Sequence, residues 1–168
     1  MHFCSRRSRV LGALHSGKGI STEKSKVLAV EQWPQPVNVK ELRGFLGLIG
    51  CYRKFIKHFG LISKPLTELL KKGIPYVWTS VTQTAFEQLK LALINAPVLV
   101  IPDFSKLFVL ETVASDVGFG AVLLQDNHPV AYLSKPVSKQ NQALSTYEKE
   151  CLAIILAVEK WRQYLQHA

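Results

Sequence analysis

A change in the spacing of apolar residues near Pro97 constrains the fold more than any other feature of the sequence. Before Pro97, apolar side chains recur every three or four positions, as in amphipathic helices. After it, KLFVLETVAS alternates with the two-residue period of a strand, and GFGAVLL and PVAYLSK follow as two further strands. A helix begun by Ser145 closes the chain. We therefore predict an α+β fold, with a helical part followed by an antiparallel β-β-β-α unit.

Charge and the change of period together divide the chain into three predicted segments. Residues 1–22 are basic and contain no acid, and we interpret them as the basic edge of a preceding domain, with an organelle transit peptide as the alternative. Residues 23–96 form the helical part, and residues 97–168 form the partial sheet domain. Because small units bury proportionally less surface, we expect the last segment to depend on the helical part for stability.

The longest predicted helix covers residues 37–60 and carries two different faces. Asn38 followed by Glu41 is a capping pair at its start. The first face is apolar and is expected to be buried: Leu42, Phe45, Leu46, Ile49, Tyr52 and Ile56. The second face has cations at both ends and glycines between them: Lys40, Arg43, Gly47, Gly50, Lys54 and Lys57. Each glycine costs about 1 kcal/mol of helix stability relative to alanine, so a compensating contact is expected.

Three explanations are open for the glycines of the second face. A neighbouring helix packs closely there, the helix breaks near Gly50, or the face lies against the sugar–phosphate backbone of a nucleic acid with its cations on phosphates. The formal net charge of +9 favours an anionic partner, nucleic acid before a membrane surface. No apolar run approaches the roughly 20 residues that span a membrane, so no membrane partner is expected.

Two further helices are predicted on either side of this one. The first covers residues 23–33, with Ser21 or Thr22 as its cap. The second begins at Thr82 or Thr84. Its apolar side is expected to face inward and consists of Phe86, Leu89, Leu93 and Ile94.

The spacing of cysteine and histidine gives no sign of a metal site. The three cysteines lie far apart and the five histidines are scattered, without the spacing of zinc ligands. We therefore expect reduced thiols in an intracellular protein, in the nucleus or cytoplasm rather than an organelle, and no structural metal. The sequence also lacks a nucleophile–base set for acyl transfer and a phosphate-binding glycine loop.

Carboxylates in the last part of the chain are the remaining candidates for chemistry. Glu111 and Val113 share one face of the first predicted strand, and Asp116 follows that strand as an expected turn residue. On the last helix, Glu150 borders the predicted buried side, where it forms a salt bridge or binds a metal ion, and Lys149 is expected to point outward. The predicted buried side consists of Tyr147, Cys151, Ile154, Ile155, Val158, Trp161 and Leu165.

Long sequence blocks along the chain match one protein family in order and spacing. The blocks are ELRGFLGLIGCYRKFIKHFG, KPLTELLKKG, APVLVIPDFSKLFVLET, GFGAVLLQ, HPVAYLSK and STYEKECLAIILAVEKWRQYL. Over about residues 10–167 they resemble the Pol polyproteins of gypsy-class LTR retrotransposons. The resemblance implies a reverse transcriptase thumb and connection followed by the start of an RNase H-like domain. The polymerase aspartates of that family lie in an upstream palm, outside the region of resemblance.

The resemblance implies that a metal site has been lost. The RNase H domain of the family binds two Mg²⁺ ions through four carboxylates. The first corresponds to Val113 and the second to Glu150, whereas the other two lie beyond Ala168. Two-metal hydrolysis needs oxygen ligands for both ions, and valine supplies none. We therefore expect Glu150 to be the one retained family acid, and we expect no functional metal and no cofactor, although the intact family enzyme uses Mg²⁺.

The resemblance also implies a nucleic-acid partner. Thumb helices of reverse transcriptases pack on the template–primer duplex, so Lys40, Arg43, Lys54 and Lys57 are expected to bind an RNA–DNA hybrid or another duplex without sequence preference. Four hypotheses stay open, and with them whether the chain is an enzyme. The first is an inert retroelement fragment that binds nucleic acid, and the second is part of a functional RNA-directed DNA polymerase and ribonuclease H that other Pol segments complete. The third is a host-adopted interaction module with a free sheet edge, and the fourth is a product that does not fold stably.

Overall fold

The computed structural model describes residues 8–10, 13–16 and 19–166, which form two antiparallel sheets and a set of helices. The elements in chain order are β1 (Ser8–Val10), β2 (Ala13–Ser16), β3 (Gly19–Thr22), α1 (Lys24–Glu31), α2 (Val39–Gly50), α3 (Phe59–Ile62), α4 (Lys64–Glu68), α5 (Ser80–Ile94), β4 (Val109–Ala114), β5 (Gly118–Gln125), β6 (His128–Pro136), α6 (Thr146–Lys160) and α7 (Arg162–Leu165), with short 3₁₀ turns at Arg53–Phe55 and Lys139–Asn141. Within the described part, no helix is long and apolar enough to cross a membrane. The predicted α+β architecture, a helical part followed by a β-β-β-α unit, is confirmed.

The first sheet lies where the sequence predicted only a basic edge. Its strands pair antiparallel in the order β1-β2-β3. Backbone hydrogen bonds join Ile20 and Leu99 in both directions, at 2.6 and 2.8 Å, so β3 is tied to the segment that follows α5. Strands of three or four residues are too short to show a two-residue alternation, which is why the sequence pattern did not reveal them.

α2 begins as predicted but ends earlier. The Glu41 backbone N–H donates to Asn38 Oδ1 at 2.9 Å, which confirms the predicted cap. The helix stops at Gly50, since glycines weaken a helix, and a 3₁₀ turn and His58, with φ of 59°, follow. The predicted continuous helix over residues 37–60 is therefore wrong. A break near Gly50, one of the three explanations of the glycines, is what the structure shows.

The helical part has one core, in which the aromatic ring of Phe45 is central. Phe45 is 0% exposed, and its ring centroid lies 4.6 Å from that of Phe86 and 6.2 Å from that of Trp33. Such aromatic contacts hold α2 against α5. The predicted stripe of α2 and the turn after it is confirmed, since Leu42, Phe45, Ile49, Tyr52 and Ile56 are buried and Leu46 is half-buried.

The caps of α1 and α5 differ from the predicted ones. Ser21 and Thr22 belong to β3, so they do not cap α1. α5 is capped by Thr79, and Thr82 completes the capping box from the third helical position. Ile94 is exposed because it lies one position away from the row that faces the core. The other inward-facing residues of α5 are confirmed as buried: Phe86, Leu89 and Leu93.

The second sheet is the antiparallel meander that the alternation predicted, in the order β4-β5-β6. Asp126 and Asn127 form the turn between β5 and β6, with positive φ angles of 50° and 61°. Two-residue turns of this kind match the twist of the strands that they join. Ser115 forms the turn between β4 and β5, because its hydroxyl accepts from the backbone N–H groups of Val117 and Gly118 at 3.3 Å.

α6 covers one face of the second sheet, but through a different side than predicted. The capping box of Ser145 and Glu148 confirms the predicted start. The buried helical residues are Lys149, Ala153 and Ala157, and the predicted Trp161 is buried at the helix end. The small alanines let the helix lie close to the strands, and several larger apolar residues of the predicted side are exposed. Those exposed are Tyr147, Ile154, Ile155 and Val158, whereas Cys151 and Leu165 are half-buried.

Glycines line the contact between the helical part and the second sheet, which we call the seam. The Gly60 backbone N–H donates to Ser134 Oγ at 3.2 Å, and a β-carbon on Gly60 would lie 2.9 Å from the Ser134 carbonyl oxygen. A β-carbon on Gly118 would collide with the Leu61 side chain of the helical part, whereas one on Gly120 would lie in ordinary contact with His58 Nδ1, at 3.4 Å. The missing side chain at Gly60 therefore lets α3 lie directly on β6.

Candidate functional site

One face of α2 is open and carries Lys40, Arg43, Gly47 and Gly50; we call it the glycine face. Lys40, Arg43 and Gly47 are exposed, and Gly50 is half-buried. Among the described residues outside the helix's own backbone, no atom lies within 4 Å of a β-carbon built on Gly47 or Gly50. A neighbouring helix therefore does not explain these glycines in the described part of the chain. The face presents bare backbone with two cations at its N-terminal end.

Lys54 and Lys57 do not continue the glycine face. Lys54 lies in the 3₁₀ turn after α2, where its Nζ is 5.2 Å from the centroid of the Phe55 ring, and burial lowers the pKa of Lys54. Lys57 is exposed and borders a cavity at the seam. The predicted six-residue face is thus interrupted after Gly50, because the helix ends there.

The two positions expected for carboxylate ligands point in different directions. Val113 is 54% exposed, and its Cγ1 would lie 3.0 Å from a β-carbon on Gly120, on the face of the second sheet that turns toward the helical part. α6 covers the opposite face, where Ala114 packs near Ala153. Val113 therefore points away from the helix that carries Glu150, and Glu150 is exposed.

The donor set at these positions does not fit a pair of Mg²⁺ ions. Mg²⁺ takes oxygen ligands in octahedral geometry, and the side chain of Val113 is a hydrocarbon. Within residues 8–10, 13–16 and 19–166, no group of three or more His, Cys, Asp or Glu side chains is placed to hold a metal ion. The side chains at these positions therefore do not fit a metal-dependent reaction.

A buried lysine at the N-terminal end of α6 pairs with the turn after β4. Lys149 is 5% exposed, and its Nζ donates to Asp116 Oδ1 at 2.7 Å. The prediction for Lys149 is wrong, because Lys149 points inward. Asp116 lies in the turn as predicted, but Ser115 rather than Asp116 bonds the turn backbone. Lys149 shares the i, i+4 row of Ala153 and Ala157, and that row was the available sequence signal.

Replacing Asp116 by Asn is expected to lower the melting temperature at neutral pH. The hydrogen bond from Lys149, and then its positive charge, hold the pKa of Asp116 below its ordinary value. A lowered carboxyl pKa stabilises the folded state above the ordinary pKa, and this contribution is lost as the pH falls through the folded-state pKa. The difference between wild type and Asp116→Asn should therefore shrink on acidification, as measured by thermal melts at several pH values.

The control for this experiment is Glu150→Gln, which neutralises an exposed carboxylate next to Lys149 on the same helix. Its melting temperature should follow that of the wild type at every pH. Equal melting temperatures of the wild type and Asp116→Asn at neutral pH would show that the ion pair does not stabilise the fold.

The seam also contains a histidine that no sequence pattern indicated. His58 has a left-handed backbone, and its Nδ1 is buried with no hydrogen-bond partner among the described residues. Burial, and then the charge of Lys57, lower the pKa of His58. His58 and Lys57 lie over a cavity of about 150 Å³ whose floor is the second sheet. A single histidine within a basic run has no distinctive spacing, so only the fold identifies it.

Two solved structures share this fold. The foamy viral protease–reverse transcriptase dRH in complex with double-stranded DNA matches with a TM-score of 0.85 and 24% identity, over 94% of this chain and 29% of that chain. The foamy viral protease–reverse transcriptase in complex with an RNA/DNA hybrid matches with a TM-score of 0.84 and 24% identity, over 94% of this chain and 22% of that chain. At this identity the likeness shows the fold alone.

The family follows from the sequence comparison. The model described as "RNase H-like domain found in reverse transcriptase" matches residues 78–168, more than half of the chain, so the chain belongs to that family. It is 41% identical over 164 residues to the retrovirus-related Pol polyprotein from transposon 297 of Drosophila melanogaster, covering 97% of this chain and 16% of the polyprotein. It is 42% identical over 163 residues to the Transposon Tf2-3 polyprotein of Schizosaccharomyces pombe, covering 94% of this chain and 12% of the polyprotein.

These relatives confirm the resemblance to gypsy-class retrotransposon Pol polyproteins. They are much longer than the present chain, which spans less than a fifth of either one. The chain is therefore comparable to one segment of such a polyprotein, and what the whole polyproteins do is not carried over by similarity.

Proposed function

We propose that this retrotransposon Pol-like chain binds nucleic-acid duplexes without sequence preference through the glycine face of α2 and performs no hydrolysis. The observation that carries the proposal is the open space over Gly47 and Gly50. Gly47 in the interior of α2 costs about 1 kcal/mol relative to alanine, and no neighbouring side chain or backbone in the described part offsets this cost, whereas Gly50 ends the helix. A surface without side chains suits close approach of a partner's backbone.

The charges around the face support a phosphate-bearing partner. Lys40 and Arg43 are exposed at one end of the face, and Lys54 and Lys57 are exposed on the segment that follows α2. Lysine and arginine bind phosphates and release counterions from a duplex. The two similar foamy viral structures contain double-stranded DNA and an RNA/DNA hybrid, which gives the proposal its two probe duplexes.

Salt dependence tests the electrostatic part of the proposal. Labelled RNA–DNA hybrid and DNA duplex of one sequence are titrated with the chain, and anisotropy is followed between about 50 and 200 mM salt. With two to four phosphate contacts, the slope of log K against log salt is expected to lie between about −2 and −4. No binding at the lowest salt, or a flat slope, would contradict the proposal.

Replacing Gly47 by Leu separates the proposed role from a structural one. The new side chain meets open space in the free chain, so the helix is expected to gain about 0.5–1 kcal/mol in the free energy of unfolding. The same side chain blocks the approach of a duplex, so affinity is expected to fall by about tenfold. Urea unfolding measures the change in the free energy of unfolding, and anisotropy titrations of the same protein preparation measure the change in duplex affinity.

The matched control is Gln88→Leu, which adds a leucine at an exposed position of α5 without changing the charge. It should bind duplexes like the wild type. If Gly47→Leu also binds like the wild type, the glycine face does not contact the duplex.

Cys51 provides a local probe of the same face. Its side chain is exposed, and its thiol lies 3.4 Å from the carbonyl oxygen of Gly47, one turn earlier. In a chain with Cys4→Ser and Cys151→Ser, alkylation of Cys51 should slow when duplex is added. An unchanged alkylation rate at saturating duplex would place the bound nucleic acid elsewhere.

The proposal of no hydrolysis rests on the side chains at the two carboxylate positions. Val113 supplies no oxygen ligand, and Glu150 lies on a helix that covers the other face of the sheet. Incubation of the chain with labelled RNA–DNA hybrid and Mg²⁺ or Mn²⁺ is expected to give no more product than the Glu150→Gln variant. Turnover above that control would contradict the proposal and would favour a functional nuclease.

A further inference from the structure

β4 forms one edge of the second sheet, and its outer side has no partner strand in the described part of the chain. The Ser115 backbone N–H donates to the Gly118 carbonyl oxygen at 3.0 Å, so this pair begins the ladder between β4 and β5. Hydrogen-bonded pairs alternate with non-bonded pairs along an antiparallel ladder. The backbone groups of Leu110, Thr112 and Ala114 therefore point to the free edge.

The two edges of this sheet differ in their protection against another strand. β6, at the opposite edge, carries Pro129, Lys135 and Pro136, and α3 lies against it. Proline and lysine on an edge strand, or a covering helix, prevent pairing with another chain. β4 contains neither proline nor lysine, and its register with β5 is regular. The β4 edge is therefore suited to accept a further strand.

A second open surface, which we call the outer stripe, lies on α6 beside this edge. α6 packs over β4 and β5. Leu152 and Leu156, on one side of the helix, pack on the cluster that contains Val137, the residue after β6. The outer stripe is on the other side of the helix and therefore faces the β4 edge. Its residues recur at helical spacing and are exposed, apart from the half-buried cysteine: Tyr147, Cys151, Ile154, Ile155 and Val158.

One occupant covers both surfaces only if it combines a free strand edge with an apolar helix on the same side of that strand. A lone extended peptide would pair with β4 and leave the outer stripe in water. β4 and α6 of this chain are themselves such a combination. Strands lie about 4.8 Å apart, so two copies joined through β4 would hold their α6 helices about 10 Å apart, a distance at which helices pack.

We infer that two copies of the chain form a two-fold symmetric dimer, in which β4 pairs antiparallel with β4 of the second copy. With Thr112 on the two-fold axis, Leu110 of each copy pairs with Ala114 of the other. Glu111 then lies opposite Val113 instead of a second carboxylate, so this register places no like charges directly opposite each other. The result is a six-stranded sheet with both α6 helices on one face and their outer stripes in contact.

The charges of this region are compatible with association of two copies. From β4 to α7 the chain contains six Asp or Glu and five Lys or Arg, so its positive charge lies mainly outside this region. Ala114 packs near Ala153, which places Thr112 beside the middle of α6. Antiparallel α6 helices therefore bring Glu148 of one copy toward Arg162 of the other, and both side chains are exposed. Opposite charges at the rim favour this orientation of the two copies.

The test is sedimentation velocity of the full chain over a concentration series, at about 0.5 M salt so that nucleic acid does not bridge the copies. A dimer with a Kd of about 1–100 μM is expected. Over that range the amide hydrogens of Leu110, Thr112 and Ala114 should exchange more slowly as the concentration rises. Monomer mass at every concentration up to about 500 μM would overturn the inference.

Two variants locate the interface on β4 and on α6. Thr112→Pro removes an N–H that points to the free edge, where strands tolerate proline, and should weaken the dimer about tenfold or more. Ile154→Glu buries a charge between the outer stripes and should weaken it by at least as much. Ile154 is exposed in the single chain, so this variant should keep the melting temperature of the monomer, measured well below the Kd.

The matched control is Gln142→Glu, which adds the same charge at an exposed position before α6 and should dimerise like the wild type. A dimer that persists unchanged in both Thr112→Pro and Ile154→Glu would form through another surface and would overturn the inference. If Thr112→Pro does not fold, Ile154→Glu decides alone.

The dimer does not rest on the proposed function, because the glycine face belongs to α2 and the interface to β4 and α6. Replacing Lys40 and Arg43 by glutamate should leave the Kd of the dimer unchanged at this salt concentration. A chain that dimerises and binds no duplex would contradict the proposed function alone. A chain that binds duplex and stays monomeric would contradict the dimer alone.

Discussion

Reversing the charge of Lys40 and Arg43 to glutamate is expected to weaken duplex binding by about a hundredfold at low salt. The two exposed cations stand at one end of the glycine face, and the double variant removes two phosphate contacts and adds two repulsive carboxylates. The slope of log K against log salt should become less steep by about 2, because each lost phosphate contact removes about one counterion. Anisotropy titrations over a salt series measure both quantities.

The matched control is Lys72→Glu with Lys139→Glu, which makes the same change of net charge at exposed positions outside α2. Long-range attraction depends on net charge, so the control should lose some affinity through slower association. It should keep most of its salt slope. An equal loss in the two double variants would mean that the chain binds duplexes through its overall charge, without a defined face.

Truncating Phe45 to alanine is expected to cost about 3–5 kcal/mol in the free energy of unfolding. Its ring is 0% exposed and lies between the rings of Trp33 and Phe86, so truncation leaves a cavity where α2 meets α5. The measurement is urea unfolding followed by circular dichroism at constant temperature. An effect of this size can exceed half of the stability of a small domain.

Leu91→Ala is the control, because Leu91 is 57% exposed on α5. It should change the free energy of unfolding by no more than about 0.5 kcal/mol. If both variants have the same small effect, the core is not formed in solution. That outcome would favour the hypothesis of a product that does not fold stably.

The sequence predicted elements well where their pattern was long. The six-residue apolar stripe that begins at Leu42, the antiparallel meander and the helix start at Ser145 are all found in the structure. Each of these rests on several residues that repeat one period, or on a cap whose chemistry is local. The α+β class followed from them, and the blocks of resemblance indicated the family.

The sequence failed where packing rather than pattern decides. On α6, apolar residues occur on two sides, and the side with alanines faces the sheet because a close approach buries more of both surfaces. The inward position of Lys149 depends on Asp116, which is distant in sequence.

The candidate site could be predicted only in part. The common face of the α2 residues could be found from spacing alone, because they recur every three or four positions. They are Lys40, Arg43, Gly47 and Gly50. The openness of that face could not, because it depends on what the remaining helices leave uncovered. His58 and its cavity bring together residues from both parts of the chain, and no local pattern encodes such a meeting.

The tight turn at Asp126 and Asn127 has a consequence for the order in which the second sheet assembles. It joins β5 and β6 through two residues, so the chain closes a very short loop to form that strand pair. Short loops close with little loss of entropy and hairpins form within microseconds, whereas the docking of α6 brings together more distant parts of the chain. We therefore expect the β5–β6 hairpin to nucleate this sheet. Variants in the hairpin should slow refolding, whereas variants in α6 should mainly speed unfolding.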